Sequence, residues 1–426
     1  MESLKKVNLE SQVDLKREII GGLSTFFTMA YILVVNPAIL SVAGVPKDGA
    51  LFATAVASAI ATFLVGIWAK LPFALAPGMG LNAYFAFVVC KGLGISWQTA
   101  LAAVFLEGII FLLLSLLGFR QKIFQAIPKS LAIGISAGIG LFISLIGLKE
   151  AGIIISDKNT LVTLGDISNI KAVIAIASFI FIAVLSYLKV TGAVLIGIIF
   201  ATILAGILGD FQMPTTLFSF PAPTAAFKID WASLFSFSIL PIIVTFLLVD
   251  MFDTVGTLAG LSSLLGIKKD DKRLSRVLTV DAAGTTVGAL LGTSTVTTYI
   301  ESAAGIVSGA RTGIASIVVA ILFLISLFFY PVLSSIPLYV TSGALIFVGF
   351  LMFQTVKNID FSKIEEGLPA FVTLMGIPLT FSIANGIGFG FITYTILKLT
   401  LGKFKDLNPL IIIISIVFLL HFLKII

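Results

Sequence analysis

Apolar runs of roughly 17–25 residues, the length that crosses a bilayer as helix, recur from Ile19 to the end of the chain. They predict spans over 19–44, 49–69, 72–90, 97–118, 131–148, 172–187 and 192–209. A polar connection bearing Pro214, Pro221 and Pro223 follows. A second set covers 234–261, 277–292, 293–309, 312–334, 337–356, 366–382 and 384–401. A last apolar stretch fills 408–426, and hydropathy alone leaves open whether it spans. The implied boundaries are an N-terminal segment 1–18, a first seven-span repeat 19–210, a connecting loop 211–233, a second seven-span repeat 234–401 and a C-terminal apolar segment 402–426. The fold class expected is an all-α polytopic membrane protein.

Composition agrees with the pattern. Hydrophobic residues make up 58% of the chain and charged ones 11%, against roughly 25% charged in a soluble domain. The net charge of +6 does not point to nucleic acid, because no basic stripe is left over. Lys5, Lys6, Lys16 and Arg17 precede the first run. Arg120, Lys122, Lys129, Lys189, Lys268, Lys269, Arg273, Arg311, Lys357 and Lys403 fall on that same side if the spans alternate. By the positive-inside rule that side, with the N-terminus, is cytoplasmic. The first run is longer than a signal-peptide core and lacks a cleavage site, so no cleaved leader is expected. The lone Cys90 and lone His421 cannot form a disulfide or a multi-ligand metal site. No metal or cofactor is expected.

The two sets of spans echo each other. Thr25-Phe26 in span one matches Thr245-Phe246 in span eight, and Asn82-Ala83-Tyr84 in span three matches Thr297-Thr298-Tyr299 in span ten. Pro128 matches Pro337, and Thr191-Gly192 matches Asn385-Gly386. An odd number of spans per half gives the halves opposite orientation. Inverted repeats are the signature of alternating-access transporters, with the substrate site at the repeat interface.

Spans three and ten are irregular. Pro72, Pro77, Gly78 and Gly80 predict an extended stretch over Leu71–Gly80, with helix from about Leu81. The β-branched run Gly292-Thr-Ser-Thr-Val-Thr-Thr-Tyr299 predicts a second one, with helix from about Ile300. Non-helical backbone at membrane depth survives only where protein or a water-filled cavity satisfies it. The two short strands can therefore pair, each feeding a half-helix. Ordinary Gly/Pro kinks in packed helices are the alternative.

Carboxylates sit in the same region. Asp250 and Asp253 share one face of span eight, and Glu301 lies in span ten at the break that corresponds to Asn82. Each acid at the bilayer centre costs about 2.5–3.5 kcal/mol on insertion scales, so each needs a cavity or a partner. A polar network that merely locks helices together is the competing explanation. Asp281 in span nine can tune the site or cap a half-helix. Gly78-Met-Gly80-Leu-Asn-Ala83 fits a loose dinucleotide fingerprint, but that motif needs a soluble βαβ context. There is no phosphate-binding loop, which argues against an ATP-driven pump.

The segments Gly21-Gly-Leu-Ser-Thr-Phe-Phe-Thr-Met-Ala-Tyr-Ile32, Ala76-Pro-Gly-Met-Gly-Leu-Asn-Ala-Tyr-Phe85, Phe252-Asp-Thr-Val-Gly-Thr257 and Gly292-Thr-Ser-Thr-Val-Thr-Thr-Tyr-Ile-Glu-Ser-Ala-Ala-Gly305 resemble the AzgA-like purine permeases. These belong to the nucleobase–cation symporter 2 family. The resemblance runs over essentially the whole chain. It implies fourteen transmembrane segments as inverted sevens, with a core domain from spans 1–4 and 8–11 and a gate domain from spans 5–7 and 12–14. It implies proton-coupled import of adenine, guanine or hypoxanthine through the cell membrane, with elevator-like motion of the core; a homodimer is compatible with it. Gly80, Asn82, Asp250, Asp253 and Glu301 match the family's substrate-site residues, and Thr298 and Ser302 belong to the same expected set.

The residue chemistry suits a neutral purine. Ionised carboxylates accept ring N–H groups in strong charge-assisted bonds, and an asparagine both donates and accepts. Phe73 or Phe85 can stack on the base. Glu301, Asp253 and Asp281 are the candidates for proton coupling, since withdrawal from water disfavours a charged carboxylate. Sodium is not excluded. The rivals are a carrier of the same architecture for uracil or xanthine, one for an inorganic anion, a channel, and an intramembrane aspartyl protease. Three acids disfavour an anion, the repeat disfavours a channel, and the protease's Tyr-Asp and Gly-x-Gly-Asp strings are absent. No enzyme is expected.

Overall fold

A computed structural model describes residues 14–117, 128–208, 211, 214–236, 239–268 and 271–423. Lys5, Lys6, Arg120, Lys122, Lys269 and the His421 side chain lie outside the described residues, as does most of segment 1–18.

The chain is predominantly helical, and its regular elements follow the apolar runs. In order they are α1 (Leu15–Met29), α2 (Ile32–Val42), α3 (Lys47–Leu64, extended by π-helical turns Val65–Ala69), β1 (Leu75–Pro77), α4 (Met79–Ala83, extended by π-helical turns Tyr84–Gly92) and α5 (Trp97–Leu116). Next come α6 (Lys129–Glu150), β2 (Ile154–Asp157), β3 (Leu161–Leu164), α7 (Ile170–Tyr187) and α8 (Ala193–Ile207). The second half holds α9 (Leu240–Leu265), α10 (Lys272–Leu291), β4 (Val296–Thr298), α11 (Ser302–Val307), α12 (Gly313–Ser326), α13 (Tyr330–Ser335), α14 (Ser342–Phe353), α15 (Ile364–Leu379), α16 (Ile383–Thr400) and α17 (Pro409–Phe422).

Among the described residues, six helical stretches are long and apolar enough to cross a membrane: Leu15–Val42, Lys47–Ala69, Trp97–Leu116, Lys129–Glu150, Ile170–Tyr187 and Leu338–Asn358. The count of fourteen spans remains an expectation. Two features went unforeseen. Span one is broken at Ala30–Tyr31 into α1 and α2. An antiparallel hairpin, β2–β3, fills the connection after α6, where Asp157 Oδ1 accepts the amides of Asn159 and Thr160 and makes the turn.

Local signals set several helix ends. Asp14 caps α1 by accepting from the amides of Lys16 and Arg17, and Asp271 caps α10 by accepting from that of Arg273, as short acceptors at N-caps do. Gly292 ends α10 at φ +103° with its Cα against the backbone of Ala225. A side chain there would be both strained and blocked.

By contacts the chain divides into two compact units. One comprises Met1–Leu116 with Ala183–Pro337, the other Leu117–Ile182 with Leu338–Ile426. Helix α8, in the seventh predicted span, belongs to the first. In the second unit α6 packs on α14 and α15, with Gly140 against the backbone of Gly349. The first unit carries β1 and β4. There Gly66 and Gly313 bring α3's extension and α12 into backbone contact, a close approach that small residues permit between membrane helices.

The strands are short because one proline and one run of threonines are all that interrupts the helices. Leu75, Ala76 and Pro77 of β1 pair antiparallel with Thr298, Thr297 and Val296 of β4. The Gly78 amide donates to Thr295 O at 2.9 Å, and the Tyr299 amide donates to Ala74 O at 2.9 Å. This exchange is two-fold symmetric and equates Ala76 with Thr297. Glu301 therefore corresponds to Gly80, not to Asn82, which corrects the alignment drawn from the sequence echo. The motif Asn-Ala-Tyr matches Thr-Thr-Tyr by composition alone.

Candidate functional site

Helices α4 and α11 start where the strands end, so the crossing of β1 and β4 puts two helix starts and their flanking side chains in one place within the first unit. Gly78 is required there. A Cβ on it would lie 2.7 Å from Thr297 Cγ2 and 3.5 Å from Asp253 Oδ2, so the Asp253 carboxylate borders the turn from β1 into α4. Asp253 is also within electrostatic reach of Asp281 and Glu301. Asp253 and Glu301 are both partly exposed. Among the described residues, no basic side chain pairs with either.

Glu301 is held from the first half of the chain. Tyr31, at the break between α1 and α2, donates its hydroxyl to Glu301 Oε1 at 2.6 Å. A second cluster is fully buried. The Thr254 hydroxyl lies 3.1 Å from Asp250 Oδ1, 3.1 Å from Asp281 Oδ2 and 2.7 Å from Thr297 Oγ1. One turn of α9 separates Asp250 from Thr254, so the two face α10 together and meet Asp281 there. One hydroxyl hydrogen thus stands between two carboxylates.

The segment before β4 is fastened by three consecutive hydroxyls. Thr293 Oγ1 accepts from Asn36 Nδ2 at 2.8 Å. Ser294 donates to Asn82 Oδ1. Thr295 donates to Glu107 Oε2 at 2.6 Å. Asn82 is thereby fixed through its oxygen. Its Nδ2, and the hydroxyl of Thr298, are buried without a partner among the described residues. Buried polar atoms of that kind call for an explanation.

The sequence-derived residues thus separate into groups. Asp253 and Glu301 border the strand crossing. Asp250 and Asp281 form the buried pair around Thr254. Gly80 lies in the first turn of α4, where backbone amides precede the first intrahelical bond. Ser302 Oγ accepts the amide of Ala74 at 3.0 Å, so that hydroxyl serves the entry to β1. Phe73 and Phe85 are wholly buried. All the acids named from sequence belong to the second half; the first lends Gly78, Asn82 and Tyr31.

Sequence reasoning missed Tyr31, Asn36, Glu107, Thr254 and Thr297. For Glu107 a signal existed: it is an acid inside the apolar run of span four, the same anomaly that singled out Asp250. Tyr31, Asn36 and the threonines carry no such mark, because uncharged polar residues are common in membrane helices.

The profile of a family described as "Permease family" matches residues 16–422. A putative permease of Methanocaldococcus jannaschii is 51% identical over 96% of this chain and 95% of its own length. The guanine/hypoxanthine permease PbuG of Bacillus subtilis is 45% identical, with 96% of both chains covered. The adenine permease AdeP of Escherichia coli is 39% identical over 95% of this chain and 92% of its own. Among solved structures, the transmembrane domain of the cyanobacterial bicarbonate transporter BicA superimposes with a TM-score of 0.68 at 16% identity, covering 88% of this chain and 97% of that one. Murine Slc26a9, an anion transporter, gives 0.65 at 14% identity, covering 94% and 70%. At such identities the likeness concerns the fold.

Proposed function

We propose that this chain, which belongs to the permease family, imports purine nucleobases (adenine, guanine or hypoxanthine) across the cell membrane by proton symport and alternating access. The observation that carries the reading is the set of groups at the strand crossing. Asp253 and Glu301 keep some exposure and have no basic partner among the described residues. Asn82 Nδ2 and Thr298 Oγ1 are buried with no protein partner. A purine edge supplies what these lack: N–H groups for the carboxylates, lone pairs for the amide and hydroxyl. The first-turn amides at Gly80 add further donors. The names of the relatives, guanine/hypoxanthine and adenine permeases, point to the same class of substrate.

In this reading Asp253 and Glu301 hold the base, and selectivity comes from the cost of leaving a buried partner unmatched, about 1–3 kcal/mol for each lost bond. The pair Asp250 and Asp281 lies one layer deeper. The two carboxylates meet at one hydroxyl, and a proton bound between them would relieve the repulsion of like charges, which suits a group that takes up and releases one proton. Carrying that proton inward gains about 2.3 kcal/mol per 100 mV. The inverted halves supply the symmetry that alternating access needs. The basic loops argue for a cytoplasmic N-terminus.

An anion carrier is the second reading, since the solved neighbours include a bicarbonate transporter. The acids at the crossing oppose it: an anion there would face carboxylates rather than cations.

Uptake of labelled adenine and hypoxanthine into proteoliposomes, with guanine, xanthine, uracil and bicarbonate as competitors, tests the substrate. A protonophore and sodium-free buffer test the coupling ion. Competition by purines with loss of accumulation on adding protonophore is expected. Competition by bicarbonate alone would overturn the purine assignment, and dependence on sodium would replace the proton.

A further inference from the structure

Tyr31 is the one tyrosine whose hydroxyl is bonded to an acid of the strand crossing among the described residues, and no sequence signal marks it. It stands at the gap between α1 and α2, is 2% exposed and donates to Glu301 Oε1 at 2.6 Å. Its placement is not that of a loose end. Helix α1 lies along α11, with Gly21 against the backbone of Gly305. Ser308 Oγ meets Ser24 Oγ at 3.0 Å. At the far end of α1, Glu18 Oε1 accepts the amides of Arg311 and Thr312 at 2.8 and 3.0 Å. The helix that precedes Tyr31 is therefore fastened at several levels to the segment that follows Glu301. The phenol and the carboxylate are held at a fixed separation from both sides.

A carboxylate has two oxygens and turns freely unless one is pinned. With Oε1 already accepting the Tyr31 hydroxyl, the plane of the carboxylate is set, and Oε2 is the oxygen turned away from the phenol toward an incoming donor. We propose that Tyr31 is a positioning residue of the purine site: by pinning Oε1 it aims Oε2 of Glu301 at the ring N–H of the substrate. This rests on the purine reading above and adds to it the group that sets the carboxylate's direction. The other charged or titratable groups around this contact are Asp253 on α9 and Tyr299 beside β4, with Asp281 on α10 in turn acting on Asp253. None of these substitutes for the phenol, since two are acids and Tyr299 gives its hydroxyl to Pro77 O at 2.6 Å.

The test uses full-length protein in nanodiscs and proteoliposomes, with hypoxanthine and adenine as probes. Tyr31→Phe keeps the ring and removes only the donor. Its Kd and KM are expected to rise about tenfold or more, the factor carried by one hydrogen bond to a charged group, while Vmax and the thermal midpoint without purine stay within about twofold and a few degrees. Tyr31→His keeps a ring with an N–H donor and should bind more tightly than Tyr31→Phe. In a Glu301→Gln background the phenol loses its charged acceptor, so adding Tyr31→Phe should weaken binding by less than about twofold more, the non-additivity of a coupled pair. Binding by Tyr31→Phe within about twofold of the unmodified chain, equal weakening by Phe and His, or a full tenfold loss on top of Glu301→Gln would each overturn the assignment. If Glu301→Gln itself binds purines undiminished, the purine reading falls. If Glu301→Gln weakens binding and Tyr31→Phe does not, only the role of Tyr31 falls.

Discussion

Thr62 on α3 and Thr285 on α10 strap the two strands in the same way. The Thr62 hydroxyl donates to Leu75 O at 3.0 Å and accepts the Leu75 amide at 2.9 Å. The Thr285 hydroxyl donates to Val296 O at 2.9 Å and accepts the Val296 amide at 3.2 Å. One hydroxyl thus satisfies the outward-facing amide and carbonyl of each strand, a need that a two-stranded sheet inside a helical bundle cannot meet by itself.

Replacing either threonine by valine keeps the shape and removes the hydroxyl. Each substitution leaves a buried amide and carbonyl without partners, and each is expected to destabilise the protein by about 1–3 kcal/mol. Thr→Ser at the same positions should lose far less. Thermal unfolding of purified protein in detergent checks this, and the repeat symmetry predicts similar losses at the two sites.

Gly313 has no room for a side chain. Its Cα lies against the backbone of Gly66, and a Cβ on Gly66 would meet Gly313 O at 2.7 Å. Gly313→Ala must push α12 away from α3's extension, at about 1–3 kcal/mol or more. A smaller monodisperse fraction on size exclusion is the expected result. Gly260→Ala is the contrast, because its Cβ would meet only Ile300 Cδ1 at 3.4 Å. Helix propensity favours alanine there by up to about 1 kcal/mol.

The proposed roles assign coupling to the buried pair and binding to the strand crossing. Asp281 touches Thr254 and is within electrostatic reach of Asp253. Asp281→Asn is expected to bind purines within about threefold of the unmodified chain but to lose pH-driven accumulation in proteoliposomes. Thr254→Val should weaken coupling in the same direction. Undiminished accumulation by both variants would remove the pair from the coupling path.

Asp271 gives a pH-dependent contribution outside the spans. The Arg273 guanidinium holds its carboxyl below the usual carboxylate range, with help from the Arg273 amide. A depressed folded value means the contribution is fully present above the unfolded carboxylate's range and is lost as pH falls through the folded one. Asp271→Ala should therefore cost about 0.5–2 kcal/mol at neutral pH, the worth of an N-cap. Its thermal midpoint should converge on that of the unmodified chain as pH drops below about 4.

Much of the candidate site was legible in the sequence, because charge in lipid and interrupted helix are both local anomalies. Pro77 and the run Thr293–Thr298 mark the strands within a few residues of where they form. Asp250, Asp253, Asp281 and Glu301 are visible because an acid in an apolar run is costly wherever the chain folds. The acid at position 107 obeys the same rule. The break at Tyr31 was not legible: Met29-Ala30-Tyr31-Ile32 contains neither glycine nor proline.

The amino-acid order by itself determined that this is a helical membrane protein with extended breaks and acids gathered near them, since hydropathy, proline and buried charge act through neighbours in the chain. Only the tertiary structure decided the strand register that equates Gly80 with Glu301. The same packing brought Tyr31 to Glu301 Oε1, sent Ser302 to Ala74, and joined Asp250 to Asp281 through Thr254. Those pairings connect residues far apart in the chain through the fit of helix against helix, and no local pattern of polar and apolar positions encodes that fit.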